Sequence, residues 1–592
     1  MFNTNKTKTT PKSEVFKNIT SDPDNPFGSL IKAGGQSYYI DSNGEKQLSL
    51  INKRAEEGDW SQWSDKLPSQ FLSKQNLSLI KKQLNLATVD KQAEFDEILS
   101  LNNPTVKKAL LKSFSDDCDS AAIHLQAASL PRQKYQVILP VPSMKDNEVY
   151  APNYKNGEKI ALVRFPHGGT FEIPILTVNN KQVDAKNMLG NALDAIAINS
   201  KVAERLSGAD FDGDTVMTIP TGNKINITST PTLKGLEGFD PKMSYGGKEE
   251  GSYKVMKNTQ TEMGKISNLI TDMTLKGATQ DELARAVRHS MVVIDAEKHK
   301  LDYKQSEVDN GIASLKKKYQ GTIGVDGKYH EGAATLISRA KSETSIIKRK
   351  GSPIIDKDTG EQTYKQVVEE YVDKKTGKTK VRTQSSTKMA EVKDAYILSS
   401  GTPQEEAYAD YANKMKSLGN EARKVMVNTG KITYSATAKD VYQQEVDSLT
   451  AQLNIALKNA PKERQAQVIA NATALAKKQS NPDMTNSEVK KANQQALTSA
   501  RIAVGAKRTT IKVTDNEWEA IQAGAISENK LIQIINNVDI DNLRQRATPR
   551  ITTTLSDAKI NKITSMNNSG YSLSEIATAL GVSTSTISKY LN

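Results

Sequence analysis

Three carboxylates stand two residues apart in the run Ser207-Gly-Ala-Asp-Phe-Asp-Gly-Asp-Thr-Val-Met-Thr-Ile-Pro220. In an extended segment alternate side chains point to the same side, so Asp210, Asp212 and Asp214 can converge on one point. Three converging negative charges repel one another and take up protons unless a cation sits among them. A hard divalent ion answers that need, and Mg2+ commonly takes carboxylates, waters and substrate phosphates as ligands. Gly213 gives the backbone room to curl, and Phe211 can pin the loop to a core. The apolar residues 216–219 read as a buried strand. The pattern is that of a metal-binding loop attached to a sheet.

Two plainer readings compete. An EF-hand also begins Asp-x-Asp-x-Asp, but it needs Gly at loop position six and Glu at position twelve. Counted from Asp210, those positions hold Thr215 and Thr221. A solvated acidic turn has no use for Phe211 or for the apolar flank.

Ala209-Asp-Phe-Asp-Gly-Asp214 resembles the metal-binding loop of the two-barrel RNA polymerases. That superfamily includes the largest subunit of cellular RNA polymerase, the cell-type RNA-dependent RNA polymerases of gene silencing, and single-chain enzymes of some phages. The resemblance implies a double-psi β-barrel carrying the loop, with Asp210, Asp212 and Asp214 as catalytic residues and ligands of Mg2+. Upstream, Leu162-Val-Arg-Phe-Pro-His-Gly-Gly169 is similar to the Arg-x-Pro-x-x-His stretch of the same barrel, where the Arg reaches the nucleotide sugar. His167 follows Pro166 at once, which departs from that spacing, so Arg164 and Pro166 are the residues carried over as nucleotide-binding. A basic residue before a Gly-Gly turn also suits phosphate or ribose on its own terms.

Downstream, Met263-Gly-Lys-Ile-Ser-Asn-Leu-Ile270 and the segment from Asp281 to Lys298 resemble the Gly-x-Ile-Ser-Asn and Glu-Leu-Ala helix regions of the silencing-type and phage enzymes. Leu283, Ala286, Val287, Ser290 and Ile294 make a helical stripe. Arg285, Arg288, His289 and Lys298 lie on or beside it, and Arg285, Arg288 and Lys298 are the candidates for nucleic-acid contact. A plain amphipathic core helix is the competing reading. The resemblance covers roughly residues 130–305.

The chain has 592 residues, enough for several cores. Its 81 Lys and Arg exceed 68 acidic residues, giving a net charge of +13 that favours a polyanionic partner. Aromatics at 5% argue against a surface built on base stacking. One cysteine, Cys118, and five scattered histidines exclude a disulfide framework and a Cys/His zinc site. The first residues lack the apolar core of a signal peptide, and no run approaches transmembrane length. These features predict a cytoplasmic protein with no membrane partner, in a host cytoplasm or packaged from it into a virion.

The expected fold class is α+β multidomain. Residues 1–26 read as a flexible basic arm, and 27–130 as a mainly helical region with room for a reduced second barrel. Residues 131–250 are the expected double-psi β-barrel, with strands at 133–142, 160–164, 170–178 and 216–219 and a helix at 186–205. A helical polymerase-like region follows at 251–345. The segment 346–395 reads as a β-hairpin insertion, with turns at Asp358-Thr-Gly360 and Lys374-Lys-Thr-Gly377. Residues 396–550 are Ala-, Gln- and Lys-rich and helical, with 456–480 expected to fold as a helical hairpin turned at Pro461. Residues 551–592 resemble a helix-turn-helix of the resolvase and repressor type: Ile576, Ala577 and Leu580 pack one helix, Gly581 permits the turn, and Ser583 caps the next. Ser585, Thr586, Ser588 and Lys589 would face a DNA groove or its phosphates.

These readings predict a Mg2+-dependent nucleotidyltransferase that adds ribonucleotides, taken from nucleoside triphosphates, to an RNA 3′-hydroxyl. A DNA-directed RNA polymerase of phage or mobile-element type is favoured, acting alone or as the largest-subunit-like part of a split enzyme whose other barrel lies on a second polypeptide. An RNA-directed polymerase is the first alternative. A non-catalytic nucleic-acid-binding protein that retains the metal loop is the second.

Overall fold

The computed structural model describes residues 38–40, 46–48, 66–165, 167–190, 195–206, 209, 214–222, 225–247, 249, 251–323, 329–339, 343–347, 353–363, 370–373, 376–381, 383–387, 393–481, 486–507, 510–538, 540–548, 555, 557–582 and 584–591. Asp210, Asp212, Pro166 and Ser583 lie outside them, as does the basic arm.

Six strands close into a barrel: β1 (Lys134–Pro140), β2 (Glu148–Tyr150), β3 (Lys159–Val163), β4 (Ile175–Val178), β5 (Ala195–Ile198) and β6 (Thr215–Thr221). Around the barrel the order is β6-β1-β5-β2-β4-β3. β6 lies antiparallel to β1 and β3, with Thr215 opposite Val137 and Met217 opposite Val163. Two pairs are parallel, β1 with β5 and β2 with β4. Closure leaves no free sheet edge in this part of the chain.

The two-residue period of a strand decides what each face meets. Ile160 and Leu162 of β3 and Val216 of β6 join one core with Val137, Leu139, Val149 and Ile196. Ala161 and Val163, with Met217 and Ile219, face the other way into a second core. There they meet Phe71, Leu72 and Ile80 from the N-terminal helices and Tyr408, Ala412 and Met415 from a later one. Burying a large apolar side chain contributes about 1.5–3 kcal/mol, so this second core fixes the helices to the barrel wall.

The expected helix at 186–205 is a correction. A helix covers Val183–Leu189, but Ala195–Ile198 is β5, and a 3-10 turn, Ser200–Arg205, follows. All four β5 side chains are buried. A strand covered on both faces loses its alternation, so its apolar run does not separate strand from helix. The 170–178 strand likewise starts only at Ile175, after a 3-10 turn at Thr170–Glu172.

Upstream of the barrel stand α1 (Leu77–Leu99), capped by Asn76, and α2 (Pro104–His124), capped by Asn103 with Pro104 in its first turn. Strands in the described part of 27–133 form two short pairs, Tyr38–Ile40 with Lys46–Leu48 and Lys66–Leu67 with Ala127–Ala128. Downstream, α3 (Thr259–Leu275) and α4 (Gln280–His299) pack on each other, followed by α5 (Ile312–Gln320). The long α6 (Pro403–Asn428) lies against α2.

Between α5 and α6, Glu343–Ile347 pairs with Thr383–Thr387, Ile354–Ile355 with Gln362–Thr363, and Glu370–Val372 with Thr379–Val381. Gly360 has φ +72, and a Cβ there would sit 1.9 Å from the carbonyl oxygen of Asn420 on α6, so only glycine fits. The buried Arg423 donates to Gly360 O (2.9 Å), Asp119 Oδ2 (2.9 Å) and Asn420 Oδ1 (2.6 Å).

The expected turn at Pro461 is also corrected. Pro461 lies inside one continuous helix, α7 (Gln443–Ser480), and the chain reverses after it into α8 (Asn486–Val504). An interior proline costs about 3 kcal/mol. Here Ala466, Ala470 and Ala500 pack across the pair, and Arg501 donates to Glu463, so contacts with α8 offset that cost.

Candidate functional site

Asp214, the last carboxylate of the metal-loop motif, sits where β6 begins, and its own carbonyl accepts from Ile138 N of β1 (3.0 Å). It is 4% exposed. Arg164, at the exit of β3, donates to its Oδ1 through Nη2 (2.6 Å) and Nε (3.2 Å). Antiparallel pairing of β3 with β6 brings these two residues, 50 apart in sequence, to one end of the barrel. Two expected site residues thus meet; Asp210 and Asp212 lie outside the described residues.

The loop after Arg164 is held from two sides. Lys74 is buried between the N-terminal helices and donates to His167 O (3.0 Å) and Gly168 O (2.8 Å). Burial lowers its ammonium from the usual 10.5 to about 8, with Glu172 pulling weakly the other way. Glu172 accepts from Gly168 N at 2.7 Å, and a Cβ on Gly168 would approach its Oε2 to 2.9 Å. On the other side Phe171 inserts among Ile266, Leu269, Ala286 and Val287 of α3 and α4. His167 packs against Phe71 and Phe165, with both ring nitrogens buried and unpartnered. Burial, and then the Lys74 charge, keep it neutral well below the ordinary histidine range.

Neighbouring Gln75 and Asn76 bind the chain just beyond β6. Thr228 N donates to Gln75 Oε1 (2.7 Å), and Asn76 Nδ2 donates to Asn226 O (3.2 Å). One short segment, residues 74–76, therefore clamps both the Arg164 loop and the exit of the Asp-bearing strand.

The basic residues of α4 have local partners. Arg285 Nε lies 3.4 Å from Asp281, and Arg288 donates to Asn310 Oδ1 (3.1 Å) and Gly235 O (3.4 Å). Lys298 is exposed in the last turn. His289, expected on or beside the apolar stripe, is buried against Ser306 Oγ (3.0 Å), and burial lowers it to about 4. Phe171 ties α4 to the Arg164 loop, but the described bonds of Arg285 and Arg288 do not reach the Arg164–Asp214 pair.

A three-helix module ends the described chain: α9 (Asp557–Asn568), α10 (Leu573–Leu580) and α11 (Thr584–Leu591). Ser572 and Glu575 form a capping box at α10. Gly581 ends it with φ +65, the left-handed turn expected there. Ile563, Met566, Ile576, Ala577 and Ile587 make its core, and Leu86 of α1 joins them. On α11, Lys589 is exposed, Thr586 and Ser588 are half-buried, and the Ser585 side chain lies outside the described set.

The module is seated on α1. Lys559 lies 2.9 Å from Glu97 and Lys562 3.1 Å from Asp90. Arg544, just ahead of the module, lies 2.9 Å from Glu97, and Tyr571 donates to Ser129 O (2.6 Å).

Residues 552–592 match a protein family described as Helix-turn-helix domain. No curated protein matches the chain. Among the described residues no helix is long and apolar enough to cross a membrane. The α+β architecture with a closed six-strand barrel and a C-terminal helix-turn-helix agrees with the expected fold class at that level. Lys74 and the seat on α1 were not foreseen; their partners are scores to hundreds of residues away, and no local spacing signals them.

Proposed function

We propose that the chain is the Asp-loop part of a Mg2+-dependent nucleotidyltransferase, a DNA-directed RNA polymerase of phage or mobile-element type built on a double-psi form of the six-strand barrel. The observation that carries this reading is the Arg164–Asp214 pair at one end of the barrel, directly after Asp-Phe-Asp-Gly. The donor chemistry fits a hard cation: a buried carboxylate beside two more carboxylates of the same motif. Bound Mg2+ would be held by Asp210, Asp212 and Asp214 and would supply charge stabilisation at the reacting phosphate and activation of the RNA 3′-hydroxyl.

The chain's own residues do the positioning. Arg164 is a fork-shaped donor placed beside the carboxylate, suited to a ribose or phosphate oxygen. Lys74 and Glu172 hold the backbone that follows it, so Arg164 needs little rearrangement when substrate arrives. The helix-turn-helix match favours DNA over RNA as template. Among the described residues there is one closed barrel.

The test is extension of RNA–DNA and RNA–RNA scaffolds with Mg2+ and labelled triphosphates, by the chain alone and by the complex recovered with it from its native cells. Asp212→Ala is the control, with Mg2+ binding followed by calorimetry. Extension on RNA–DNA that is lost in a well-folded Asp212→Ala chain is the expected result. Extension retained by that variant, or Mg2+ binding it leaves untouched, refutes the reading. Preference for RNA–RNA moves the template to RNA.

A further inference from the structure

The helix-turn-helix is built into the body by a specific seam. Its first helix, α9, lies along α1, with Lys559 on Glu97 and Lys562 on Asp90, one turn apart on α9. Leu86, 2% exposed, plugs into the module's own core, and Tyr571 reaches the Ser129 carbonyl a few residues before β1. Module and barrel are therefore joined through α1 and the 127–133 segment as well as through the chain ahead of α9. The seam uses α9 and the turn before α10. It leaves Thr584 and Lys589 of α11 exposed, on the helix that reads DNA in this class of module.

The geometry points to a fixed DNA-presenting surface: α11 holds duplex DNA at a constant distance and attitude to the Arg164–Asp214 end of the barrel. The module does not trail as a tethered reader. A flexibly linked module samples many positions and fixes no spacing, whereas a seam with an apolar plug and two ion pairs beside it permits one. Beside the seam lies an open cleft of about 600 Å3 lined by Lys66, Lys91, Glu94, Gln126 and Tyr411 among others. The ion pairs of the seam line this cleft, and the acidic residues of α1 are therefore the accessible place to open it. This inference rests on the DNA-binding part of the proposed function but not on nucleotide addition.

The test uses the full chain without nucleotides. Burial pushes the Cys118 thiol up to about 12, so an added cysteine at exposed Lys155 (Lys155→Cys) takes a maleimide dye selectively. A duplex selected by the full chain from a random pool carries the acceptor, and single-molecule energy transfer reads the distance. One narrow peak is expected. Asp90→Lys with Glu97→Lys should broaden it at least twofold, and adding Lys559→Glu, Lys562→Glu and Arg544→Glu, which reverses every cation paired with those two residues, should narrow it again. That rescue excludes simple misfolding as the cause. A broad distribution in the unmodified seam, or a peak the reversal leaves unchanged, overturns the inference. If the chain selects no duplex, the DNA-binding reading itself fails, and the inference falls with it.

Discussion

Replacing Lys74 by Met isolates the energetic state of the clamp behind Arg164. Lys74 is fully desolvated, and its ammonium loses its proton near pH 8 instead of the usual 10.5. Below pH 8 folded and unfolded chains both carry the charge, and this residue adds no pH dependence. Between about 8 and 10.5 the folded state releases the proton while the unfolded state keeps it. The unfolded chain then binds more protons, so stability rises with pH in that window. A displacement of about 2.5 units at about 1.4 kcal/mol each is worth roughly 3 kcal/mol, most of it reached by pH 10. Lys74→Met removes this contribution along with the two bonds to the carbonyls of His167 and Gly168. The expected result is that wild type gains about 2–3 kcal/mol of stability relative to Lys74→Met from pH 7 to pH 10. Urea unfolding followed by circular dichroism at both pH values measures it, and taking the difference between the chains cancels every other group that titrates there. A gap that stays constant refutes the placement of Lys74 as a buried ammonium.

Arg164→Ala leaves the buried Asp214 carboxylate without its guanidinium partner and should destabilise the chain by about 3 kcal/mol in thermal unfolding. Adding Asp214→Asn should recover much of that loss. Gly581→Val forces a β-branched residue into the left-handed turn between α10 and α11 and should weaken the module by about 1–2 kcal/mol. Hydrogen exchange should show that loss in 557–591 and not in the barrel. Lys589→Ala should weaken duplex binding at every sequence and lower the slope of log affinity against log salt by about 1, as fluorescence anisotropy would show.

The parts of the fold that were legible in the sequence are those with one face buried. Residues 160–163 alternate between two cores, and the apolar run after Asp214 could be placed as a strand beside them. Gly581 announced its turn because few residues other than glycine adopt that backbone conformation. β5 was misread because Ala-Ile-Ala-Ile is buried on both faces and carries no period. Pro461 was misread because a local rule about proline met a helix stabilised from across the pair by Arg501 and Ala500. At the site, residue types gave Arg164 and Asp214, and strand pairing alone explains why they touch. Lys74 went the other way, from anonymity to the clamp. In each case burial was decided by elements distant in sequence.

The Arg423 contact bears on how the 346–395 insertion can be trimmed. Its charge is matched by Asp119 on α2, yet one of its donors is spent on a glycine carbonyl at the tip of the 354–363 hairpin. A truncation that removes Gly360 takes away that acceptor and uncovers the buried guanidinium on α6. A shortened chain should therefore cut beyond this hairpin, between residues 364 and 382, and keep residues 354–363 as part of the body. A deletion of the whole insertion calls for an apolar replacement at Arg423 in the same chain.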